Sequence, residues 1–349
     1  MRLGIICPSE IALRRFMPAL QNIHEFDFVG IGVCTPEERF GNTLPEQSIV
    51  DSIMEAEHEK AKAFINQYGG KLFEGYKNIV ASDEIDAIYI PLPPALHYRW
   101  AKIALESGKH VLVEKPSTIS GSQTLELAEL ALKKGLGFHE NYMFAFHQQI
   151  ADINQLISDG EIGDVRLYRI AFGFPRRAAN DFRYNKALGG GALIDAGGYT
   201  IKYATMLLGE SARLRYAQMN YLEEFEVDIF GSAALVNDSG MTAQIAFGMD
   251  NNYKCELEAW GSKGFLTTGR VLTAPDGFTP TVTIRKGNNE EVRNLSADDA
   301  FGKSIHKFID CIKEPSIREQ NCRQIVRQAQ LIDDFYRLAL QGNSGSSQK

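Results

Sequence analysis

The feature that most constrains this chain is an alternation filling its first 140 residues. Short apolar runs at Leu3–Ile6, Phe28–Val33, Ile85–Ile90 and Val111–Val113 are separated by segments whose apolar residues recur every three or four positions. Runs of that length suit buried strands, and the spacing predicts helices. One helical stripe is Ile11, Leu13, Phe16, Met17 and Leu20. A second is Leu96, Trp100, Ile103 and Ala104, closing at Gly108. A third starts at Ser120, where Gln123 completes a capping box, and carries Leu125, Ala128 and Leu132. Residues 41–60 read as a polar insertion ahead of a helix at 61–68. Strand and helix in alternation predict a parallel sheet with helices on both faces. Ligands of such sheets bind beyond the carboxyl ends of the strands. The run HVLVEKP (110–116) puts the charged pair Glu114-Lys115 at one of those ends, with Pro116 stopping the strand.

From Phe146 the pattern changes. Phe146, Ile150, Ile153 and Ile157 mark a helix, residues 165–174 a strand, and residues 176–188 a polar loop bearing Arg176, Arg177 and Arg183. The stretch GGGALIDAGGYTIKYATMLLG (189–209) then predicts a helix entered through three glycines. Asp195 and Tyr199, four apart, share one face of it. Gly197 and Gly198 in a helix interior cost roughly 1 kcal/mol each against alanine, so backbone or ligand is expected to approach closely there. Strand-like runs at 214–222, 227–236, 241–247, 253–260 and 281–284, with few helices between, predict a large, open, mostly antiparallel sheet. Helices return near 300–312 and 317–340. The expected division is a dinucleotide-binding domain at 1–140, a substrate-binding and oligomerisation α/β domain at 141–341, and a flexible tail at 342–349.

Composition removes several classes of function. A net charge of -7 offers no basic footprint for nucleic acid and no attraction to anionic membranes. No apolar run approaches the roughly 20 residues needed to cross a bilayer, and the start of the chain does not read as a signal peptide. The five cysteines (Cys7, Cys34, Cys255, Cys311 and Cys322) show no metal-ligand spacing, so reduced thiols in a cytoplasmic protein and no metal site are expected.

The first strand-to-helix connection, Cys7-Pro8-Ser9-Glu10-Ile11-Ala12, lies where a dinucleotide fold carries GxGxxG. Cys7 and Ser9 replace the first two glycines, and Ala12 holds the third place. Ser9 still offers a hydroxyl and an N–H at a helix N-terminus, which suits an anion. The second strand ends at Cys34-Thr35 without the acidic residue that would bind the adenosine ribose of NAD. With Arg39 the nearest cation, the cofactor reading leans to NADP, with NAD left open.

Taken together, YIPLPPALHYRWAKIALESGKHVLVEKP (89–116), ENYMFAFH (140–147), GDVRLYRIAF (163–172), GGGALIDAGGY (189–199) and ELEAWGSKGFL (256–266) resemble the glucose-fructose oxidoreductase / inositol dehydrogenase / rhizopine-catabolism (Gfo/Idh/MocA) family over nearly the full length. The resemblance implies an N-terminal Rossmann domain, a C-terminal open α/β sheet, and NAD(P)-dependent oxidation or reduction of sugars and polyols. It implies that Lys115 lies beside nicotinamide and substrate, and that Asp195 and Tyr199 are the helix's aspartate and acid/base. Cofactor contacts are implied at Pro8, Ser9, Glu10, Ile11, Cys34, Thr35, Arg39, Leu92, Pro93, His97, Glu114, Lys115, Pro116 and Asn141. Substrate contacts are implied at Lys115, Asp195 and Tyr199, while Arg176, Arg177 and Arg183 read either as further substrate contacts that hold phosphate or as a solvated loop. The tyrosine form resembles the branch holding nucleotide-sugar 3-ketoreductases and aldose or dihydrodiol dehydrogenases. Two positions depart from the family pattern: the degraded glycine loop, and Ala145 where many relatives carry arginine.

The chemistry expected is a hydride transfer at a carbohydrate carbonyl or secondary alcohol, with a nucleotide-linked keto sugar the favoured substrate because arginines hold phosphate bidentately. A phenol near pKa 10 is a weak base at neutral pH, and an adjacent ammonium moves it toward working pH. Two alternatives stand beside this: a dinucleotide-sensing regulator of the same fold, and a dehydrogenase of free aldoses or dihydrodiols. Relatives pair through the exposed sheet face, so a homodimer or homotetramer is expected, with Ala243, Ile245 and Phe247 as candidate apolar surface.

Overall fold

The computed structural model describes residues 1–344 and divides into two compact units. The first comprises 1–118, 122–141 and 304–326; the second 119–121, 142–303 and 327 onward. The expected boundary near residue 140 therefore omits a segment, 304–326, that belongs with the first unit.

Six strands form the sheet of the first unit: β1 (Arg2–Ile5), β2 (Asp27–Val33), β3 (Lys71–Glu74), β4 (Ala87–Ile90), β5 (His110–Glu114) and β6 (Phe138–Asn141). Their order is β3-β2-β1-β4-β5-β6 and every pair is parallel. The order reverses between β1 and β4, which opens a crevice at their carboxyl ends. Helices α1 (Met17–Leu20), α2 (Pro36–Phe40), α3 (Gln47–Tyr68), α4 (Tyr76–Ala81), α5 (Pro94–Glu106) and α6 (Gly121–Lys134) connect the strands. A π-helical turn, Ala12–Phe16, leads into α1.

The polar insertion expected at 41–60 is mostly helix. In α3, Val50, Glu57, Ala61 and Phe64 are buried on one side, so the stripe begins a full three turns earlier than the apolar residues alone suggest. Residue 304 onward of α9 (Ala300–Lys313) and residues 315–326 of α10 (Pro315–Ser344) complete this unit. Phe308 is fully buried and stacks on Phe26, and Ile325 joins the core built on Val111, Val113 and Trp100.

The second unit holds an eight-stranded sheet: β7 (Val165–Gly173), β8 (Arg213–Tyr221), β9 (Asp228–Val236), β10 (Thr242–Gly248), β11 (Lys254–Gly261), β12 (Phe265–Gly269), β13 (Thr281–Lys286) and β14 (Asn289–Asn294). In the order β14-β13-β12-β11-β7-β10-β9-β8, only β7 and β10 run parallel. Period-two burial separates two faces. Tyr168, Ile170, Phe172, Ala243, Ile245 and Phe247 are all buried, and on this face α8 (Gly198–Leu208) packs on β7 and β10 while Phe335 of α10 meets Phe247. Ala243, Ile245 and Phe247 thus belong to an ordinary core, correcting their expected exposure. The opposite face carries Arg169, Tyr216, Phe230, Gln244, Glu256, Glu258 and Trp260. Before β7, helix α7 (Gln148–Ser158) is capped by His147, whose Nδ1 accepts from the N–H of Gln149.

The tail expected from residue 342 has its first three residues in α10; residues 345–349 lie outside the described residues. No helix among the described residues is long and apolar enough to cross a membrane, and no cluster among them has the makings of a metal site.

Candidate active site

In the first unit, the chemistry gathers at the carboxyl ends of β1, β2, β4 and β5. After β1, Ser9 Oγ accepts from the N–H of Ala12 at 3.2 Å and Ser9 O from that of Leu13 at 3.1 Å. The serine thus precedes the helical run of residues 10–20 and accepts from the N–H of its third residue, where glycine would only have made room. First-turn N–H groups of a helix have no intrahelical acceptor, so the backbone at Glu10 and Ile11 is of a kind that suits an anion even without the glycines. The Glu10 carboxylate is drawn to Arg14, 2.6 Å away, which partly offsets a negative charge that would repel phosphate at this turn. Pro8 is buried and Ile11 is exposed at this turn.

After β2, Cys34 is buried, and burial raises its thiol pKa. Cys7, after β1, is pushed up to about 12 for the same reason, so neither is a thiolate at neutral pH. Thr35 caps α2 in a reciprocal pair with Glu38, whose carboxylate also accepts from the N–H groups of Tyr76 and Lys77. That carboxylate fixes the β2 loop against the start of α4. Arg39 is exposed beside it. A cavity of about 490 Å³ lies here, lined by Thr35, Glu38, Asn42, Gly75, Lys77 and Arg99. A helix entrance and a serine hydroxyl form a donor set that fits the pyrophosphate of NADP, and on the ribose side the Glu38 carboxylate is already engaged by the N–H groups of Thr35, Tyr76 and Lys77.

His97 and Asn141, expected as cofactor contacts, both have their side chains hydrogen-bonded within the protein. His97 is fully buried, with Nδ1 2.7 Å from the Pro116 carbonyl and Nε2 2.6 Å from that of Leu92. It ties the loop after β4, which holds Leu92 and Pro93, to the loop after β5. Burial pushes its pKa down to about 4 against the pull of the two carbonyls. Asn141 is buried and donates from Nδ2 to Glu114 Oε1 at 2.6 Å, while Tyr89 Oη donates to the same oxygen at 2.7 Å. Ser304 Oγ donates to Asn141 Oδ1 at 2.8 Å, and His139 Nε2 is 3.0 Å from Ser304 Oγ. Burial raises the Glu114 pKa, opposed by those two donors and by Lys115. Lys115 directly follows this held glutamate, and the Lys115–Pro116 peptide bond is cis.

In the second unit, a π-helical turn, Leu193–Gly197, leads into α8 and carries Asp195 one turn before Tyr199. The ring of Tyr199 lies 5.3 Å from Tyr142, 5.7 Å from Phe144 and 5.4 Å from Phe172, centroid to centroid. Gly198 answers the expected close approach: a Cβ there would fall 2.3 Å from Tyr142 Oη. The neighbour is a tyrosine hydroxyl, neither backbone nor ligand. Tyr203, one turn beyond Tyr199, is fully buried and its pKa is raised by burial.

Two of the three loop arginines are committed to carboxylates. Arg176 pairs with Asp250 at 2.8 Å and Glu224 at 3.1 Å. Arg183 Nε donates to Asp195 Oδ2 at 2.6 Å, and Nη1 to Asp181 Oδ1 at 3.2 Å. Arg177 lies over Phe174 at 5.1 Å and is exposed. Sequence reasoning did not find Asp181, Ser304 or the rings around Tyr199. The aromatics of ENYMFAFH were a usable signal for the last; nothing in the sequence marks Ser304.

Comparison with known proteins bears on both units. The model of an oxidoreductase family with an NAD-binding Rossmann fold matches residues 25–142, and that of a GFO/IDH/MocA C-terminal domain matches 150–267. The dTDP-3,4-didehydro-2,6-dideoxy-alpha-D-glucose 3-reductase of Actinomadura kijaniata is 34% identical over 332 residues, covering 95% of this chain and 93% of that protein. A crystal structure of a 3-ketoreductase from the same organism, in complex with NADP and TDP-benzene, superimposes with a TM-score of 0.87 at 33% identity, covering 97% of each chain. Variants of that protein with a tyrosine replaced by phenylalanine and a lysine by alanine are likewise in complex with TDP-benzene and NADP. More distantly, an NADP-dependent D-xylose 1-dehydrogenase of Haloferax volcanii is 25% identical, covering 85% of this chain and 94% of that protein.

Proposed function

The chain belongs to the Gfo/Idh/MocA oxidoreductase family, and from that premise we propose that it reduces the keto group of a nucleotide-linked keto sugar with NADPH. The observation that carries this reading is full-length similarity to dTDP-sugar 3-ketoreductases, joined to an intact EKP strand end and an intact Asp195/Tyr199 face. The regulator alternative gives way, since the relatives are oxidoreductases acting on sugar carbonyl or hydroxyl groups.

When bound, NADPH supplies the hydride. In our reading Tyr199 Oη gives its proton to the carbonyl oxygen as the hydride arrives at carbon, and takes it back in the reverse direction. The Lys115 ammonium favours the phenolate left behind. Asp195 accepts a hydrogen bond from a neighbouring sugar hydroxyl. Phe144 and Phe172, flanking the Tyr199 ring, exclude water on those sides. Of the loop arginines, Arg177 is the one we assign to the substrate diphosphate, because Arg176 and Arg183 each already face two carboxylates. We further place the protein in the cytoplasm, in keeping with five free thiols, and propose that copies associate through the uncovered face of the eight-stranded sheet.

The test is NADPH oxidation on adding a dTDP-linked 3-keto sugar. Turnover is expected, with Tyr199→Phe and Lys115→Met each losing about 10²–10⁴-fold in kcat. Activity that survives both substitutions unchanged sinks the residue assignments. Turnover of free aldose alone sinks the nucleotide.

A further inference from the structure

The cavity of about 490 Å³ beyond β2 is walled by two acids, Glu37 and Glu38, and two cations, Lys77 and Arg99. Both acids are engaged within the protein. Glu38 takes the N–H groups of Thr35 at 3.0 Å and Tyr76 at 2.7 Å on Oε2, and that of Lys77 at 2.9 Å on Oε1. The Glu37 carboxyl is held below the usual carboxylate range by its own backbone N–H and by the Thr35 hydroxyl. The cations are not engaged in this way. Among the described residues neither the Lys77 ammonium nor the Arg99 guanidinium has an ion pair, whereas Lys71 and Lys102 of the same unit lie 2.5 and 2.6 Å from Glu84 and Glu126. Their placement is nonetheless built. Glu38 fixes the Lys77 backbone, and the Arg99 guanidinium lies 4.9 Å over the Trp100 ring, whose edge meets Tyr76, the residue before Lys77. Such a wall suits an anion that reaches both cations at once.

From this we infer that Lys77 and Arg99 hold the 2′-phosphate of the adenosine ribose and so set a preference for NADP over NAD. The inference rests on the proposed use of NADPH and adds the residues that read it. In a dinucleotide fold, the ribose of NAD is bound by an acid at the end of the second strand. Here that end is Cys34 and Thr35, Thr35 lines the cavity, and the acids that follow are already engaged. A phosphate monoester carries close to two negative charges at neutral pH and three acceptor oxygens, enough for an ammonium and a planar guanidinium together. Arg39, the cation nearest β2 in the sequence, does not line the cavity. The selecting cations come instead from the start of α4 and the second turn of α5.

The experiment titrates NADPH, NADH, adenosine 2′,5′-bisphosphate and 5′-AMP into the full chain by calorimetry. It compares the wild type with Lys77→Ala, Arg99→Ala, Arg99→Lys, Arg39→Ala and the double variant Lys77→Ala/Arg99→Ala, with thermal melts as the check on folding. The wild type should bind NADPH about a hundredfold more tightly than NADH. Each of Lys77→Ala and Arg99→Ala should lose about tenfold for NADPH and for adenosine 2′,5′-bisphosphate, and the double variant about a hundredfold. NADH and 5′-AMP should stay within about twofold throughout, since neither carries the phosphate being read. Arg99→Lys keeps the charge without the fork and should recover part of the Arg99→Ala loss. If Arg99→Ala does not fold, Arg99→Lys and Lys77→Ala carry the test. Added salt should weaken NADPH more than NADH in the wild type, and equally in the double variant.

A preference for NADPH that survives in the folded double variant overturns the inference. So does a preference lost in Arg39→Ala but in neither Lys77→Ala nor Arg99→Ala. Parallel losses for NADPH and NADH overturn it as well, because the two side chains would then only shape the cavity. A wild type that binds both coenzymes alike removes NADPH from the proposed function and this inference with it. One that prefers NADPH through Lys77 and Arg99 yet reduces no keto sugar counts against the proposed substrate alone.

Discussion

A single buried carboxylate, Asp228 on β9, sets the helix entrance that carries Asp195. Its Oδ2 accepts from the N–H of Leu193 at 2.7 Å, and burial raises its pKa from 3.8 to about 6. Below the unfolded value both states hold the proton and nothing is lost. As pH rises from about 4 through 6 the unfolded chain ionises first, so stability falls across that window and is level above it. For a shift of this size the loss is on the order of 3 kcal/mol. Asp228→Asn keeps an acceptor for Leu193 and removes the charge, so its stability advantage in urea melts should grow from pH 4 to pH 6 and then hold. An advantage independent of pH would refute this. Residue type and spacing drew attention to Lys115, Asp195 and Tyr199 in the sequence, and their roles belong to the proposed reduction. The pairings of Arg176, Arg183 and His97 were not, since Asp250, Glu224, Pro116 and Leu92 come to them only through the folded chain.

Among the elements, strands with continuous apolar runs and helices with a clear stripe were readable; short ones were not. β3 has the pattern Lys-Leu-Phe-Glu and β14 exposes all but one of its residues, so neither carries enough apolar signal to stand out. β12 is five residues long and opens on a Gly-bearing turn. In α3 the buried stripe includes a glutamate, Glu57, which hides the helical period from any reading based on apolar residues. The glycines of 189–199 show the opposite case, where sequence flagged a constraint and only structure named its cause. Gly190→Ala puts a methyl group against the fixed backbone of Arg183. It should destabilise by roughly 2–4 kcal/mol in thermal or urea unfolding, well beyond the loss of a glycine's freedom. Gly190→Ala with unchanged stability would mean that the loop shifts freely.

At the scale of the whole molecule, fold class followed from the two periodicities, whereas the membership of 304–326 in the first unit did not. A helix stripe shows that a face is buried without showing against what. The same limit applies to the open face of the eight-stranded sheet. Alternation assigns residues to two faces but not which face the helices cover, so Ala243, Ile245 and Phe247 could be read as apolar surface or as covered core, and they are core. The uncovered face carries Trp260 at 50% exposure, Tyr216 at 54% and Phe230 at 40%, around a depression of about 480 Å³ lined by Ala171, Ala234, Gln244 and Ala246. Charges across it are paired within the sheet, as Arg169 with Glu258 at 2.9 Å, so a second copy docked there, as we propose, would meet large rings and small side chains with little unpaired charge to desolvate. Buried aromatic residues dominate the energetics of such contacts. Trp260→Glu together with Tyr216→Glu should therefore shift the light-scattering mass of a concentrated sample from an oligomer to a single chain, while the melting temperature measured at high dilution stays within a few degrees. A wild type that scatters as one chain at high concentration removes the interface altogether; a double variant that still associates moves it to another surface.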